Sequence, residues 1–501
     1  MISATTLLSR LQQAGLVNEA HHTNTIDSID HLAHDSRLIG ANGCFFALKG
    51  QKADGHLFID KAVSNGAVAV VCEALPENAF QRFPGVAFIQ VSDARAAMAE
   101  AAAAYYEDPA DRLMLLGVTG TNGKTTVAYL LHHLMEGLGE RTGLVGTVAY
   151  RFGGLPVPAT RTTPDALELH WMLREMVDAG CTACVMEASS HALEQRRTWG
   201  LPFDAAIFTN LSQDHLDYHG SMEAYRGAKQ ILFRELPSNA VAIYNIDDEA
   251  GPAMIVDSRA RAISYGTDPE ADVQFDVTAN TVTNLQLRLV DRTGDSEDVF
   301  ERTFRLSGAF NAYNLVAAYA AARGLGYDAV QVLDTLAQAP PVPGRFERLQ
   351  FADGTVGIVD YAHTPAALEN VLQTIRDTMQ EDASLWCVFG CGGERDRGKR
   401  PGMAAIAERL ADHVIVTSDN PRGEAIDQIM SDIRQGFSAP AEVLWLEDRE
   451  EAIAEAARLA APGDVVLVAG KGHETTQVIG EEERSFDDRE IVRRYFEQRT
   501  T

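Results

Sequence analysis

Residues 117–126 read GVTGTNGKTT. Glycines at 120 and 123 let backbone N–H groups approach phosphate oxygens, Lys124 supplies a point charge, and Thr125 or Thr126 offers a hydroxyl to Mg2+. The strict phosphate-loop spacing puts a glycine five residues before Gly123, where this chain has Val118. A glycine turn capping an ordinary helix is the plainer alternative. Glu187 closes the apolar run ACVMEA, and His215 lies in NLSQDHLDYHG, after another apolar run. A carboxylate and an imidazole at strand ends can reach an ion held at such a loop, although Asp214, His215, Asp217 and His219 can equally form a polar loop. In SDNPR, residues 418–422, Asp419 or Asn420 reads as a helix cap with Pro421 at the first helical position. That leaves Arg422, a guanidinium beside a helix N-terminus, where a ligand carboxylate is favoured.

These residues need elements to hold them. LMLLGVT before the loop is a buried-strand run, and Val127, Leu130, Leu131, Leu134 and Met135 after it fall on one helical stripe. Strand, glycine loop and helix make the βα unit whose helix N-terminus faces an anion. Further strands are expected at ACVMEA, AAIFTN and AVAIYN, while DVQFDVTANTVTNLQLRLV alternates like an antiparallel segment. Upstream, GCFFAL, GAVAVVCE and GVAFIQV read as strands of a small α/β unit, followed by a helix over DARAAMAEAAAAYYEDP that leads into the next domain. Beyond the proline-rich APPVPGR, a third βα series has strands TVGIVDY, SLWCVFG, HVIVTSD and DVVLVAG and helices such as AIDQIMSDIRQGF.

A chain of 501 residues exceeds one ordinary core, and at about 100–200 residues per domain three domains fit. The expected architecture is α/β. A small N-terminal unit spans 1–95, a central phosphate-loop ATPase-like domain with a parallel sheet spans 96–342, and a Rossmann-like domain spans 343–501. With 46% hydrophobic residues the chain folds. A formal charge of −28 argues against a nucleic-acid surface, since phosphate neutralisation needs a basic face. Anionic ligands must then be met locally, by particular arginines, lysines and helix ends. MISATTLLSR has neither a basic leader nor a long apolar core, and no run of about 18 apolar residues occurs, so a cytoplasmic protein without a membrane span is expected. Cys181 and Cys184 form a CxxC without a second pair nearby, which favours buried thiols over zinc or redox chemistry. No long heptad is present, pointing to a monomer.

The motifs taken together resemble the Mur ligases of peptidoglycan synthesis, in the MurE branch that adds the third amino acid. The resemblance covers the whole chain: DSR at 35–37 and GQKADGH at 50–56, then GTNGKTT, RTTPD, MEASSHAL, NLSQDHLDYHG, NIDDE, GAFNAYN, PVPGRFE, DYAHTP, GCGGERDRGKRP, SDNPR and GKGHE, in the family's order. The family's loop is GTxGKT, which accounts for Val118. By resemblance, Gly120, Thr121, Asn122, Gly123, Lys124, Thr125 and Thr126 hold ATP, with Asn245, Arg345 and Asp360 attending the nucleotide. Thr125, Glu187 and His215 serve magnesium, and Lys229 carries a carbamate made with CO2 that helps position a second magnesium. From the residues alone, Lys229 reads as a solvated helix lysine. Ser36, Gln51, Lys52 and Ala53 look like uridine-nucleotide contacts; Thr162, Thr163, Ser189, Gln195 and Arg197 look like contacts to the muramoyl dipeptide. Two positions depart from the family's habit: GGERD replaces GGDRD at 392–396, and Arg161 precedes the threonine pair where a neutral residue is common.

The implied activity is ATP-dependent ligation. The D-glutamate side-chain carboxylate of a UDP-muramoyl dipeptide attacks the γ-phosphorus, giving an acyl phosphate and ADP; an amine then attacks the acyl carbon and phosphate leaves. Positioning and charge neutralisation are the protein's chief tasks, with Lys124, Lys229, Glu187 and His215 as the catalytic set. Within the family, DNPR resembles the signature of enzymes adding meso-diaminopimelate. Arg422 and Arg395 can pair with that amino acid's second carboxylate, while Asp419, Asn420 and Glu474 can take its ammonium and Pro421 and Gly470 complete the pocket. A lysine-adding enzyme of the same branch, a folylpolyglutamate synthase-like amide ligase and a phosphate-loop switch or motor are the competing readings. The first is expected to lack Arg422, and the second the uridine-nucleotide motifs of residues 35–56.

Overall fold

The computed structural model describes all residues except 23–25, 51–52, 154–155, 282–283 and 500–501. Its three large sheets follow one another along the chain. The first has five strands in the spatial order Val17–His21, Ala87–Val91, Ala67–Cys72, Gly43–Ala47 and His31–Ala33. All its pairs are parallel except that between Val17–His21 and Ala87–Val91. Helix Ala94–Tyr105, expected as the lead into the next domain, gives Ala97, Met98 and Ala101 to the core beneath this sheet. Its residues therefore belong with the first core, and the helix also packs on helix Ala166–Asp178 of the middle unit.

The second sheet has eleven strands. Those from Thr142–Val145 across to Val273–Asn280 pair in parallel, and each edge is extended by antiparallel strands. The alternating segment forms the antiparallel pair Val273–Asn280 and Leu285–Asp291, as its period of two requires. Four neighbours position the chemistry: Val241–Asn245, Ala205–Phe208, Met114–Thr119 and Ala183–Glu187 lie side by side in that order. Their carboxyl ends therefore bring Asn245, Thr209, Gly120 and Glu187 to one edge, where open parallel sheets hold ligands. Helix Lys124–Gly137 buries Val127, Leu130, Leu131 and Leu134 on one face of the sheet together with Leu315 and Val316 of helix Ala309–Gly324.

The third sheet runs Glu347–Gln350, Val356–Asp360, Val465–Ala469, Leu385–Phe389, His413–Val416 and Leu444–Trp445, parallel beyond its first pair. A hairpin of Thr476–Ile479 and Glu482–Ser485 stands beside it. Arg449, at the start of helix Arg449–Leu459, and Asp488, at the start of helix Asp488–Gln498, form a two-pronged ion pair with both N···O distances 2.8 Å and no solvent exposure. Arg449 also donates to the carbonyls of Ser418 and Ala469, the residues just before Asp419 and Gly470. All six cysteines are free and buried, and no helix among the described residues is long and apolar enough to cross a membrane.

Candidate active site

Strand Met114–Thr119 delivers the chain into a loop that closes on helix Lys124–Gly137, with Gly123 as its N-cap. The loop is fastened to the neighbouring strand's end. Thr121 N–H donates to Asn210 O at 2.8 Å, Asn122 N–H to Asn210 Oδ1 at 2.9 Å, and Thr209 Oγ1–H to Asn122 O at 2.6 Å. Gly120 has φ +149°, and a Cβ there would overlap Thr209 Oγ1. Gly120→Ala is therefore expected to destabilise the fold by about 1–3 kcal/mol and to weaken ADP binding, since the loop must move off its anchor. Thermal melting with and without ADP checks this; an unshifted melting temperature and unchanged ADP affinity would contradict it. Lys124 folds back, donating from Nζ to Gly120 O and Thr121 O at 2.8 Å each.

Glu187 lies beside this loop. Its Oε1 accepts Thr147 N–H at 2.7 Å, and its Oε2 accepts the hydroxyls of Thr147 at 3.0 Å and Thr125 at 3.1 Å. Thr125 Oγ1 in turn accepts from Arg345 at 3.1 Å. Asn245 donates to Thr209 O at 3.0 Å, and both Asp360 oxygens are held by backbone N–H groups, of Phe346 at 2.6 Å and Ala362 at 2.7 Å. Burial pushes the Asp360 carboxyl above the ordinary range.

His215 has a left-handed backbone, φ 54°, and a ring 3.5 Å from Asp214. Burial holds its imidazole below the usual pKa, with Asp214 opposing and Lys124 and Lys229 adding to the depression, so a neutral nitrogen lone pair is available. Lys229 corrects the expectation of a solvated lysine. It is 1% exposed, donates to Gly120 O at 2.7 Å and sits 4.4 Å from the Tyr225 ring centroid. Burial first, and the charge of Lys124 second, bring its amine well below the ordinary lysine value, with Asp214 opposing. Among the described residues no three His, Cys, Asp or Glu side chains gather into a metal-holding group. The carboxylate and hydroxyl of Glu187 and Thr125 nonetheless suit magnesium, which typically takes one or two carboxylates and completes its shell with phosphates and water.

Thr162, Thr163, Ser189, Gln195 and Arg197 fall into one network beside Glu187. Thr162 Oγ1 lies 3.1 Å from Thr147 Oγ1, to which it can donate, Thr163 Oγ1 donates to Glu187 O at 2.7 Å, and Ser189 N–H donates to Thr163 Oγ1 at 3.2 Å. Arg197 donates to Thr163 O at 2.6 Å and Gln195 Oε1 at 2.9 Å, and Gln195 donates to Tyr218 Oη at 3.0 Å. His191, not singled out from sequence, packs its ring against Tyr218 at 4.0 Å and His215 at 4.9 Å. Its only signal was its place inside MEASSHAL. In the first unit Ser36 is buried, its carbonyl accepting from Asn65, and Ala53 O accepts from Gly50 N–H. Gln51 and Lys52 lie outside the described residues. Arg161 is exposed, 3.8 Å from Asp165.

The helix expected at Pro421 is not there: the nearest helix is Ile426–Arg434, capped by Ala425 without a side-chain bond. Local capping chemistry loses to distant partners. Asn420 donates from Nδ2 to Glu474 Oε2 at 2.7 Å and accepts Val478 N–H on Oδ1 at 3.0 Å; Asp419 Oδ1 accepts Asn420 N–H at 2.6 Å. Arg422 is thus not beside a helix N-terminus. It has φ 52°, and its backbone is pinned to the hairpin by Arg422 N–H to Val478 O and Gly480 N–H to Arg422 O, at 3.1 and 2.7 Å. Its guanidinium donates to Gly393 O at 2.9 Å, and Arg395 lies against the same loop. Neither arginine has a carboxylate partner among the described residues. Lys471, also missed, is fully buried and donates to Glu474 at 3.0 Å, Asn420 Oδ1 at 3.3 Å and Thr476 O at 2.6 Å. Glu474 is therefore already offset, which leaves less of its charge for an ammonium than the sequence implied.

One cavity of about 760 Å3 has in its wall the phosphate loop, Glu187, His215 and Lys229, the joint residues Arg345 and Asp360, and Arg395, Arg422 and Glu474. Residues 28–106 match the family described as Mur ligase family, catalytic domain; residues 118–322 match the Mur ligase middle domain; and residues 344–472 match the family described as Mur ligase, glutamate ligase domain. The chain is 43% identical over 474 residues to a Parabacteroides distasonis protein named UDP-N-acetylmuramoyl-L-alanyl-D-glutamate--2,6-diaminopimelate ligase, covering 94% of this chain and 95% of that one. It is 44% identical over 464 residues to a Cytophaga hutchinsonii protein of the same name, covering 92% and 93%. A solved structure described as this ligase superposes with a TM-score of 0.67 at 36% identity, covering 95% of this chain and 96% of that one. Sequence, fold and site converge: the chain belongs to the Mur ligase family.

Proposed function

We propose that the chain is an ATP-dependent ligase that joins meso-2,6-diaminopimelate to the D-glutamate side-chain carboxylate of a UDP-N-acetylmuramoyl dipeptide. The observation that carries this is one cavity whose wall holds both a phosphate loop and two arginines without carboxylate partners among the described residues. The two relatives named above bear this activity in their names. The carboxylate oxygen bonds to the γ-phosphorus as ADP leaves. The amine nitrogen then bonds to the acyl carbon, losing a proton, and phosphate departs.

Lys124 exchanges its bonds to Gly120 O and Thr121 O for ATP oxygens, and Arg345 adds positive charge beside Thr125. Burial lowers the Lys229 pKa, and in its neutral form the amine is suited to add CO2 and lose a proton, leaving a carbamate. Thr125, Glu187 and His215 would hold magnesium and the Lys229 carbamate would help position a second ion, which together would neutralise charge on the transferring phosphoryl group. The network around Arg197 orients the dipeptide, Asn245 and Asp360 attend the nucleotide, and the first unit takes the uridine nucleotide through Ser36, Gln51, Lys52 and Ala53. Three domains, with the first joint beyond Tyr105 and the second near 342, divide these tasks. The enzyme works as a cytoplasmic monomer, where ATP is supplied.

Phosphate release, measured with each substrate omitted in turn and with diaminopimelate or lysine as the amine, tests this. Release should require both the UDP-muramoyl dipeptide and diaminopimelate. Release from ATP alone would mark a switch protein, and equal use of lysine would mark the lysine-adding alternative.

A further inference from the structure

A second cavity, of about 300 Å3, lies at the joint between the middle and C-terminal units. Its wall includes Arg305, Arg345 and Arg348 and contains no aspartate or glutamate. In a chain with a formal charge of −28, that is a local inversion of sign. Arg348 donates from one terminal nitrogen to Gln350 Oε1 at 2.6 Å, but its Nε–H is buried without an acceptor. The Nε–H of Arg345 is buried and unsatisfied in the same way. Arg305 has no carboxylate partner among the described residues. Ser307 and Asn311, also in the wall, flank the start of helix Ala309–Gly324, whose cap Gly308 supplies no side-chain acceptor, so this end adds to the positive potential.

Arginines gathered in one wall without carboxylates repel one another, which a bound anion offsets. Guanidinium forks match the tetrahedral oxygens of phosphate, and the volume is at the small end of ligand pockets, about 300–1,000 Å3. We propose that this cavity binds a phosphate-type oxyanion, either the free ion or the phosphate group of a small ester. Arg305 belongs to the middle unit and Arg348 to strand Glu347–Gln350 of the C-terminal unit, so one anion bridges the joint. Arg345 lines both cavities and also donates to Thr125 Oγ1 at the phosphate loop. Occupancy here therefore biases the placement of the two units on which the larger cavity depends.

The test is titration of inorganic phosphate into the full-length protein by calorimetry, with ADP and magnesium saturating the larger cavity and ionic strength held constant. Wild type is expected to bind one phosphate saturably. Arg305→Gln/Arg348→Gln should weaken it by at least about tenfold, while turnover without added phosphate stays at the wild-type level. Glucose 6-phosphate that displaces the phosphate assigns an ester; failure to displace assigns the free ion. Absence of saturable binding, or equal affinity in the variant, overturns the site. Should the double variant melt early, Arg305→Gln alone carries the same comparison, because that side chain is exposed. Failure of ADP itself to bind would count against the proposed function rather than against this cavity, and the variants would then be compared without it.

Discussion

Lys229→Ala is expected to lower turnover by about 100- to 1,000-fold, the usual loss when one element of preorganised charge is removed from a phosphoryl-transfer site. The reason is its position. The amine is buried against the Gly120 carbonyl and the Tyr225 ring, with Lys124 near enough to oppose its protonation. Because the folded-state pKa lies below the ordinary lysine value, the neutral, CO2-reactive form persists at pH values where a free lysine is charged. A carbamate there would reverse the sign, giving Lys124 a counter-charge and offering magnesium an oxygen ligand. Acetate or formate added to Lys229→Ala should return part of the lost turnover by supplying a carboxylate in the vacated space. Steady-state phosphate release with and without these anions is the measurement, with melting temperature as the control for folding. Full activity in the alanine variant would end the assignment.

Arg422→Ala is expected to lower kcat/KM for diaminopimelate by about 10- to 150-fold, matching the roughly 1.5–3 kcal/mol of a charge-assisted hydrogen bond, and to leave the weak use of lysine little changed. A lysine substrate would leave both wild-type arginines without a carboxylate, which is the expected basis of the discrimination. Arg422→Lys should recover little, because an ammonium cannot reproduce the planar fork. Competition between the two amino acids in one reaction reads the preference directly. An unchanged ratio in Arg422→Ala would transfer the specificity elsewhere in the cavity.

Much of this arrangement could be read from residues in line. Fully buried parallel strands must be apolar on both faces, so runs such as LMLLGVT and DVVLVAG announce themselves. The phosphate loop is legible because its glycines, lysine and threonines act within a few positions of one another. What depended on distant partners was not. Lys229 is buried by a carbonyl 109 residues away, though Tyr225, one helical turn earlier on the same face, was a local hint. Asn420 caps no helix because its side chain is taken by Glu474 and Val478. The alanine-rich helix Ala94–Tyr105 is nearly all small apolar surface, so its composition does not say which sheet it will cover. Lys471 stands three residues from Glu474, yet only the fold shows it turned inward onto Glu474 and Asn420.

The Arg449–Asp488 pair has a practical consequence for anyone who edits the chain's end. Helix Asp488–Gln498 looks expendable, being the last helix and remote from the phosphate loop. Yet Asp488 is the carboxylate that neutralises Arg449, and Arg449 grips the carbonyls leading into Asp419 and Gly470. Ending the chain before residue 488 would leave Arg449 without its carboxylate and uncover the core that Ile491, Val492 and Phe496 complete. It would also slacken the two loops that carry Asp419 and Gly470. Tags and fusions should therefore be appended after the final helix and never substituted for it.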